Sequence, residues 1–126
     1  MLRRFVVLFH EHPDGDHWDF MLETEIALTT WAVPPQPLPF YSFECKVKRL
    51  SDHRRCYLDY EGVISNHRGC VRQLDSGTYE TETKHETEIM EHFRLHGKLF
   101  NGILTIQQLE NGFSMFFYQS FVAKIL

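Results

Sequence analysis

Short runs of aromatic and β-branched residues, each soon cut off by glycine, proline or a polar turn, recur along the whole chain and leave little room for helices. Residues 2–9 form a near-continuous apolar run of the kind found in a buried strand, and it ends at Glu11-His12-Pro13-Asp14-Gly15-Asp16, a strong turn signal. Residues 17–23 then alternate cleanly: Trp18, Phe20 and Leu22 fall on one face, and His17, Asp19, Met21 and Glu23 on the other. Residues 26–33 read as a third strand. The stretch Pro34-Pro35-Gln36-Pro37-Leu38-Pro39 cannot join a sheet ladder and reads as a loop. Residues 41–50 alternate around Phe43, Cys45 and Val47, and the runs 70–74, 78–83, 87–95, 98–107 and 113–121 complete the set. Gly69, Gly77, Gly97, Gly102 and Gly112 lie at or near their borders. The many Glu residues of 78–90 would also suit an exposed helix. The pattern predicts a mainly β chain, a compact closed or half-closed β-barrel of eight to nine short strands with minor helical segments, folded as one domain over residues 1–126.

Composition agrees with a globular core. Eleven Phe, five Tyr and two Trp supply the bulky side chains, and 43% hydrophobic with 24% charged residues excludes a disordered chain. No apolar run approaches the roughly 20 residues that span a bilayer, and residues 5–9 are too few for a signal-peptide core. Cys45, Cys56 and Cys70 form no CxxC pair and read as reduced thiols, so a cytoplasmic setting is expected. The formal net charge of -4 argues against a general nucleic-acid coat protein, yet Lys46, Lys48, Arg49, Arg54, Arg55, Arg68 and Arg72 face only three acids (Asp52, Asp59 and Glu61) within residues 46–72. A local excess of cations in an acidic chain suggests a confined anion site, against the plainer reading of a solvated loop.

Two clusters carry chemistry. On an extended strand His17 and Asp19 project to one side, and His10 comes alongside if residues 11–16 form a hairpin connection. Two imidazoles and a carboxylate from adjacent strands make a facial ligand set suited to Mn²⁺, Fe²⁺ or Zn²⁺. Chance clustering among eight histidines is the alternative, and His12 competes with His10 as a ligand. A cupin-like barrel, which also begins with His-x-His, needs a Glu soon after His12, where residues 13–16 stand instead. In the second cluster, Arg49, His53 and Tyr57 are spaced at four and eight, which would put a guanidinium, an imidazole and a phenol on one side to hold a tetrahedral oxyanion. The competing reading leaves Arg54 and Arg55 as surface charges and packs Tyr57 in the core.

In order along residues 4–106, Phe5-Val6-Val7-Leu8-Phe9-His10, His17-Trp18-Asp19-Phe20-Met21-Leu22-Glu23, Trp31-Ala32-Val33-Pro34, Lys48-Arg49-Leu50, Asp52-His53, Tyr57 and Leu58-Asp59-Tyr60-Glu61-Gly62-Val63-Ile64 resemble the 3′-phosphoesterase domain of bacterial DNA ligase D. Asp75-Ser76-Gly77-Thr78-Tyr79 and Leu95-His96-Gly97-Lys98-Leu99 resemble its closing strands. The resemblance implies a β-barrel enzyme, dependent on Mn²⁺ with Zn²⁺ as the alternative. It would remove a 3′-terminal ribonucleoside and then the remaining 3′-phosphate from a DNA primer-template in end-joining repair. His10, His17 and Asp19 would be the metal ligands, and Arg49, His53 and Tyr57 would hold or polarise the phosphate. His53 could act as acid towards the leaving oxygen.

The departures define the alternatives. Where the family motif reads His-aromatic-Asp-x-Arg, Met21 replaces the phosphate-binding Arg, and Arg54, Arg55 and Arg68 are the cations left to bind substrate from another direction. The turn between His10 and His17 is also about one residue longer than the family's, which keeps His12 in play as a ligand. Lacking a ligase or polymerase domain, the chain reads as a stand-alone version that would partner a separate ligase or polymerase. A catalytically weakened module binding DNA ends or phosphate, or a phosphoesterase for a small nucleotide, are the competing functions.

Overall fold

The computed structural model describes residues 2–82 and 89–120. Nine strands and one short 3₁₀ helix account for the regular structure among them: β1 (Arg3–Glu11), β2 (His17–Glu23), β3 (Leu28–Val33), β4 (Ser42–Arg49), the 3₁₀ turn (Arg55–Leu58), β5 (Gly62–Val63), β6 (Cys70–Thr81), β7 (Met90–Gly97), β8 (Asn101–Leu109) and β9 (Gly112–Gln119). All pairings are antiparallel. The order β1-β2-β3-β4-β9-β8-β7-β6 closes on itself through β1–β6, and β5 is a short addition on the far edge of β6. Closure removes the free edges that an open sheet of this size would expose. The expected mainly β barrel is what the chain forms.

Two separately read runs, 70–74 and 78–83, are one strand. Gly77 lies so close to β7 that a Cβ there would stand 2.0 Å from the His96 carbonyl oxygen, so this glycine permits close approach instead of breaking the strand. A register shift in the β1–β6 ladder, where Val7 pairs Asp75 and Leu8 pairs Gln73, leaves Leu74 as an extra residue and bends β6. Of the possible helix over 78–90, residues 78–81 are strand and 83–88 lie outside the described residues, as do the first residues of the run 87–95 and the last of 113–121.

Strand alternation sorts the side chains into two apolar clusters. The barrel interior takes Phe5 and Val7 of β1 and Trp18, Phe20 and Leu22 of β2, with Phe100, Leu104 and Phe117 opposite. The other parity of the same strands faces outward: Val6, Leu8 and Met21 pack with Leu28, Leu58, Ile64 and Val71 in a second, smaller cluster. That outer cluster exists because residues 50–64 fold back over the β1–β2 face. Leu58 from the 3₁₀ turn plugs it, and Arg4–Asp59 (2.7 Å) and Arg55–Glu23 (2.5 Å) ion pairs clip its rim. Exposed ion pairs contribute little alone, so the buried apolar side chains, at roughly 1.5–3 kcal/mol each, carry the attachment. No helix among the described residues is long and apolar enough to cross a membrane.

Candidate metal and phosphate site

The outward parity that builds the small cluster continues, beyond Leu8 and Met21, into polar residues. His10 is the next outward residue of β1, and Asp19 and His17 precede Met21 on the same face of β2. His10 and His17 are cross-strand partners, and their ring centroids lie 4.7 Å apart. The Asp19 carboxylate reaches both: Oδ2 is 2.7 Å from His10 Nδ1, and Oδ1 is 2.9 Å from His17 Nε2. One ligand atom from each residue lies within 4.8 Å of the others, and no other group of three candidate metal ligands does so among the described residues.

Neighbouring carbonyls orient both rings. His10 Nε2–H donates to the Arg68 backbone oxygen at 2.6 Å, leaving Nδ1 to face the carboxylate. His17 Nδ1–H points at the Gly15 oxygen at 3.4 Å. Fixing the outer nitrogen of a ligating imidazole through a hydrogen bond is the usual means of presenting the inner one. The Arg68 carbonyl is delivered by a tight turn in which Asn66 and His67 adopt φ of 63° and 56° and Gly69 φ of 85°. A Cβ on Gly69 would lie 1.7 Å from the Glu11 oxygen, so only glycine fits. Electrostatically, burial pushes the Asp19 carboxyl up, but the bonds and charge of His17 and His10 outweigh it and hold it below its ordinary value. The hydrogen bond to Asp19 raises the His17 imidazole, against the opposing effect of burial. The donor set, two imidazole nitrogens and one anionic oxygen gathered on one side, fits a divalent cation with open positions.

A hollow beside this set is lined by His12, Lys48, Leu50, His53 and Arg68 as well as the three candidate ligands. His53 is pinned by a two-way backbone bridge to Leu28 (2.8 and 2.9 Å), and its Nδ1–H donates to the Ser51 oxygen at 2.9 Å. That leaves Nε2 without a partner among the described residues. His12 stands 5.2 Å from the His10 ring, but its Nδ1 accepts the Asp14 N–H at 3.0 Å, so it caps the turn.

The second cluster assembles only in part. His53 and Tyr57 are neighbours, with ring centroids 5.7 Å apart. The Arg49 guanidinium has partners of its own: it lies 5.3 Å from the Trp31 ring, pairs with Asp52 Oδ1 at 2.8 Å, and donates to the Thr30 and Leu50 carbonyls. The spacing of four and eight assumed one continuous backbone type. Instead Arg49 ends a strand, His53 sits in an isolated bridge and Tyr57 in a 3₁₀ turn, so no shared periodicity aligns the three. Arg55 is drawn away to Glu23, and Arg54 borders a separate small cleft with Tyr57. Arg68 lines the hollow, although its Nε donates to the Ser65 oxygen at 2.9 Å. The alternation that turns Phe43, Cys45 and Val47 inward turns Lys46 and Lys48 of the basic segment outward, and Lys48 lines the hollow. No sequence signal marks the Arg68 carbonyl, because its contribution is backbone.

The sequence profile of the DNA ligase D 3′-phosphoesterase domain matches residues 9–108. The chain is 36% identical over 85 residues to the multifunctional non-homologous end joining protein LigD of Mycobacterium bovis, covering 65% of this chain. It matches the multifunctional non-homologous end joining DNA repair protein LigD of two Mycobacterium tuberculosis strains to the same extent. The match spans only 11% of the length of these relatives. The chain belongs to the DNA ligase D 3′-phosphoesterase domain family.

Proposed function

We propose that this member of the family is a divalent-metal-dependent phosphoesterase that removes a 3′-phosphate or a 3′-terminal ribonucleoside from DNA ends during end-joining repair. It would act in the cytoplasm on primer-template ends, together with a ligase or polymerase. The observation that carries the reading is the gathering of His10, His17 and Asp19 ligand atoms within 4.8 Å, beside a hollow that also holds Lys48 and His53.

His10 Nδ1, His17 Nε2 and an Asp19 oxygen would hold the ion, with Mn²⁺ the metal that the family resemblance implies and Zn²⁺ the alternative. Such an ion supplies positive charge against the phosphate oxygens and makes the phosphorus more open to attack. The ammonium of Lys48 would face a second non-bridging oxygen and offset charge developing there. Water attacks phosphorus and gives up a proton to solvent, the P–O bond to the leaving oxygen breaks, and that oxygen takes a proton from His53 Nε2, whose ring is oriented by the Ser51 carbonyl. Tyr57 would steady the His53 ring from 5.7 Å. Arg49 holds the 50–53 turn through Asp52 and Leu50 and so sets where His53 stands.

Met21 supports a second reading, a weakened module that binds DNA ends without efficient turnover. It occupies the position of the family's arginine on the ligand face of β2, and it is 1% exposed within the outer apolar cluster. Incubation of the purified protein with Mn²⁺ and a labelled 3′-phosphorylated primer-template separates the two. Phosphate release that is lost in His17→Ala supports the esterase. End binding with no release across metals and end structures favours the module.

A further inference from the structure

Pro13-Asp14-Gly15 closes a tight turn in which the Gly15 N–H donates to the His12 carbonyl at 2.9 Å, with Gly15 at a φ of 129°. The His12 side chain is tied into that turn. Its Nδ1 accepts the Asp14 N–H at 3.0 Å, whereas the Asp14 carboxylate stands off at 3.8 Å. A neutral imidazole that accepts at Nδ1 carries its proton on Nε2, and this Nε2–H has no partner among the described residues. The ring stands beside the candidate ligands, its centroid 5.2 Å from that of His10 and 6.0 Å from that of His17, and it lines the hollow with Lys48 and His53. It is not among the three residues whose ligand atoms gather within 4.8 Å. Met21, paired with Val6, lies to one side of the His10–His17 pair along the strands, and His12 lies beyond the other. The hollow therefore has a fixed, unused donor at the end away from the missing arginine.

We propose that His12 is a catalytic residue whose Nε2–H donates to the third non-bridging oxygen of a 3′-phosphate in the hollow, the ion and Lys48 taking the other two. The assignment rests on the phosphoesterase reading and deepens it, because it fixes which ester this residue serves. A phosphomonoester presents three non-bridging oxygens around phosphorus as the leaving group departs. A diester presents two, and its third equatorial position is an ester oxygen that carries the strand. A donor aimed at that position speeds removal of the phosphate group and adds little to release of a ribonucleoside. In the monoester reaction water adds to phosphorus and gives up a proton to solvent. The bond to the 3′ oxygen breaks, that oxygen takes its proton from His53, and inorganic phosphate leaves. His12 keeps its own proton throughout.

His12→Asn separates the donor from the turn cap. An asparagine oxygen also accepts the N–H two residues on, but its side chain is too short to put a donor where Nε2–H stands. Calorimetric titration of the Mn²⁺-loaded variant with inorganic phosphate should give a dissociation constant raised about 10–100-fold, the effect of one hydrogen bond to a charged group. The Mn²⁺ dissociation constant and the melting temperature should stay as in the wild type. Release of phosphate from a 3′-phosphorylated primer-template should fall by a similar factor, while removal of a 3′-terminal ribonucleoside stays unchanged. A loss of Mn²⁺ affinity would make His12 a ligand and overturn the proposal. Unchanged phosphate affinity, which leaves His12 as a turn cap alone, overturns it too, as does an equal fall in both activities. Phosphate binding weakened by His12→Asn in a protein whose wild type turns over neither end overturns the esterase reading and leaves the His12 contact standing.

Discussion

His10 and His17 stand directly opposite one another at the end of the β1–β2 ladder, 4.7 Å between ring centroids, and the Asp19 carboxylate bonds both. Removing one of three ligands should weaken metal binding at least as much as losing an outer-sphere partner, which costs about 10–100-fold. His17→Ala and Asp19→Asn are each expected to raise the Mn²⁺ dissociation constant by that factor or more, measured by calorimetric titration. A variant that retains wild-type affinity would remove the residue from the ligand set.

The same trio sets a pH dependence in the protein stripped of metal by EDTA. The His17 imidazole is raised by its bond to Asp19, so its contribution to stability is complete below its unfolded value of about 6.5 and is lost as pH climbs through the folded value. The Asp19 carboxyl is held low, so its contribution is complete above about 3.9 and is lost as pH falls through the folded value. Melting temperature should therefore show a plateau from this source between about pH 4 and 6.5 and decline on both sides. Asp19→Asn should remove both slopes; an unchanged profile in that variant contradicts the assignment.

Lys48 and Arg49 are adjacent in sequence and opposite in parity. Lys48→Ala removes one charge-assisted contact, worth about 1.5–3 kcal/mol, and should raise KM for a DNA end about 10–100-fold with the melting temperature preserved. Arg49→Ala releases Asp52, Thr30 and Leu50 at once and should lower the melting temperature as well as the rate. The reverse pattern would return the phosphate-binding role to Arg49.

Met21 is enclosed by Val6, Leu8, Leu28, Leu58, Ile64 and Val71. Met21→Arg puts an uncompensated charge there and should destabilise the fold by about 3–5 kcal/mol, so it lowers activity. Met21→Leu keeps volume and hydrophobicity and should cost less than about 1.5 kcal/mol. Denaturant unfolding decides the matter, and a stable, more active Met21→Arg would mean that the outer cluster opens easily to admit the cation.

Period-two patterning made much of this molecule legible. Residues 17–23 announced a strand with Trp18, Phe20 and Leu22 on one side and the ligand candidates on the other, and β2 has that division. What stayed hidden depended on pieces without a period. The fold-back of residues 50–64 passes through an isolated bridge, a 3₁₀ turn and a two-residue strand, so linear spacing could not show that the Arg49 guanidinium is taken up by Asp52, Thr30 and Leu50. The break expected at Asp75-Ser76-Gly77 failed for a related reason. Gly77 serves a close approach to β7, and the Asp75 side chain accepts N–H bonds from Lys98, Leu99 and Phe100, contacts that only tertiary structure brings about.

Because β1 sends Phe5 and Val7 into the barrel and Val6, Leu8 and His10 to its outside, the chemistry and the core are written in the odd and even places of one short strand. A single-residue insertion or deletion there would swap the two sets, exposing phenyl rings and entombing an imidazole in one stroke. Point changes can retune either set separately, but length can vary safely only outside the ladder.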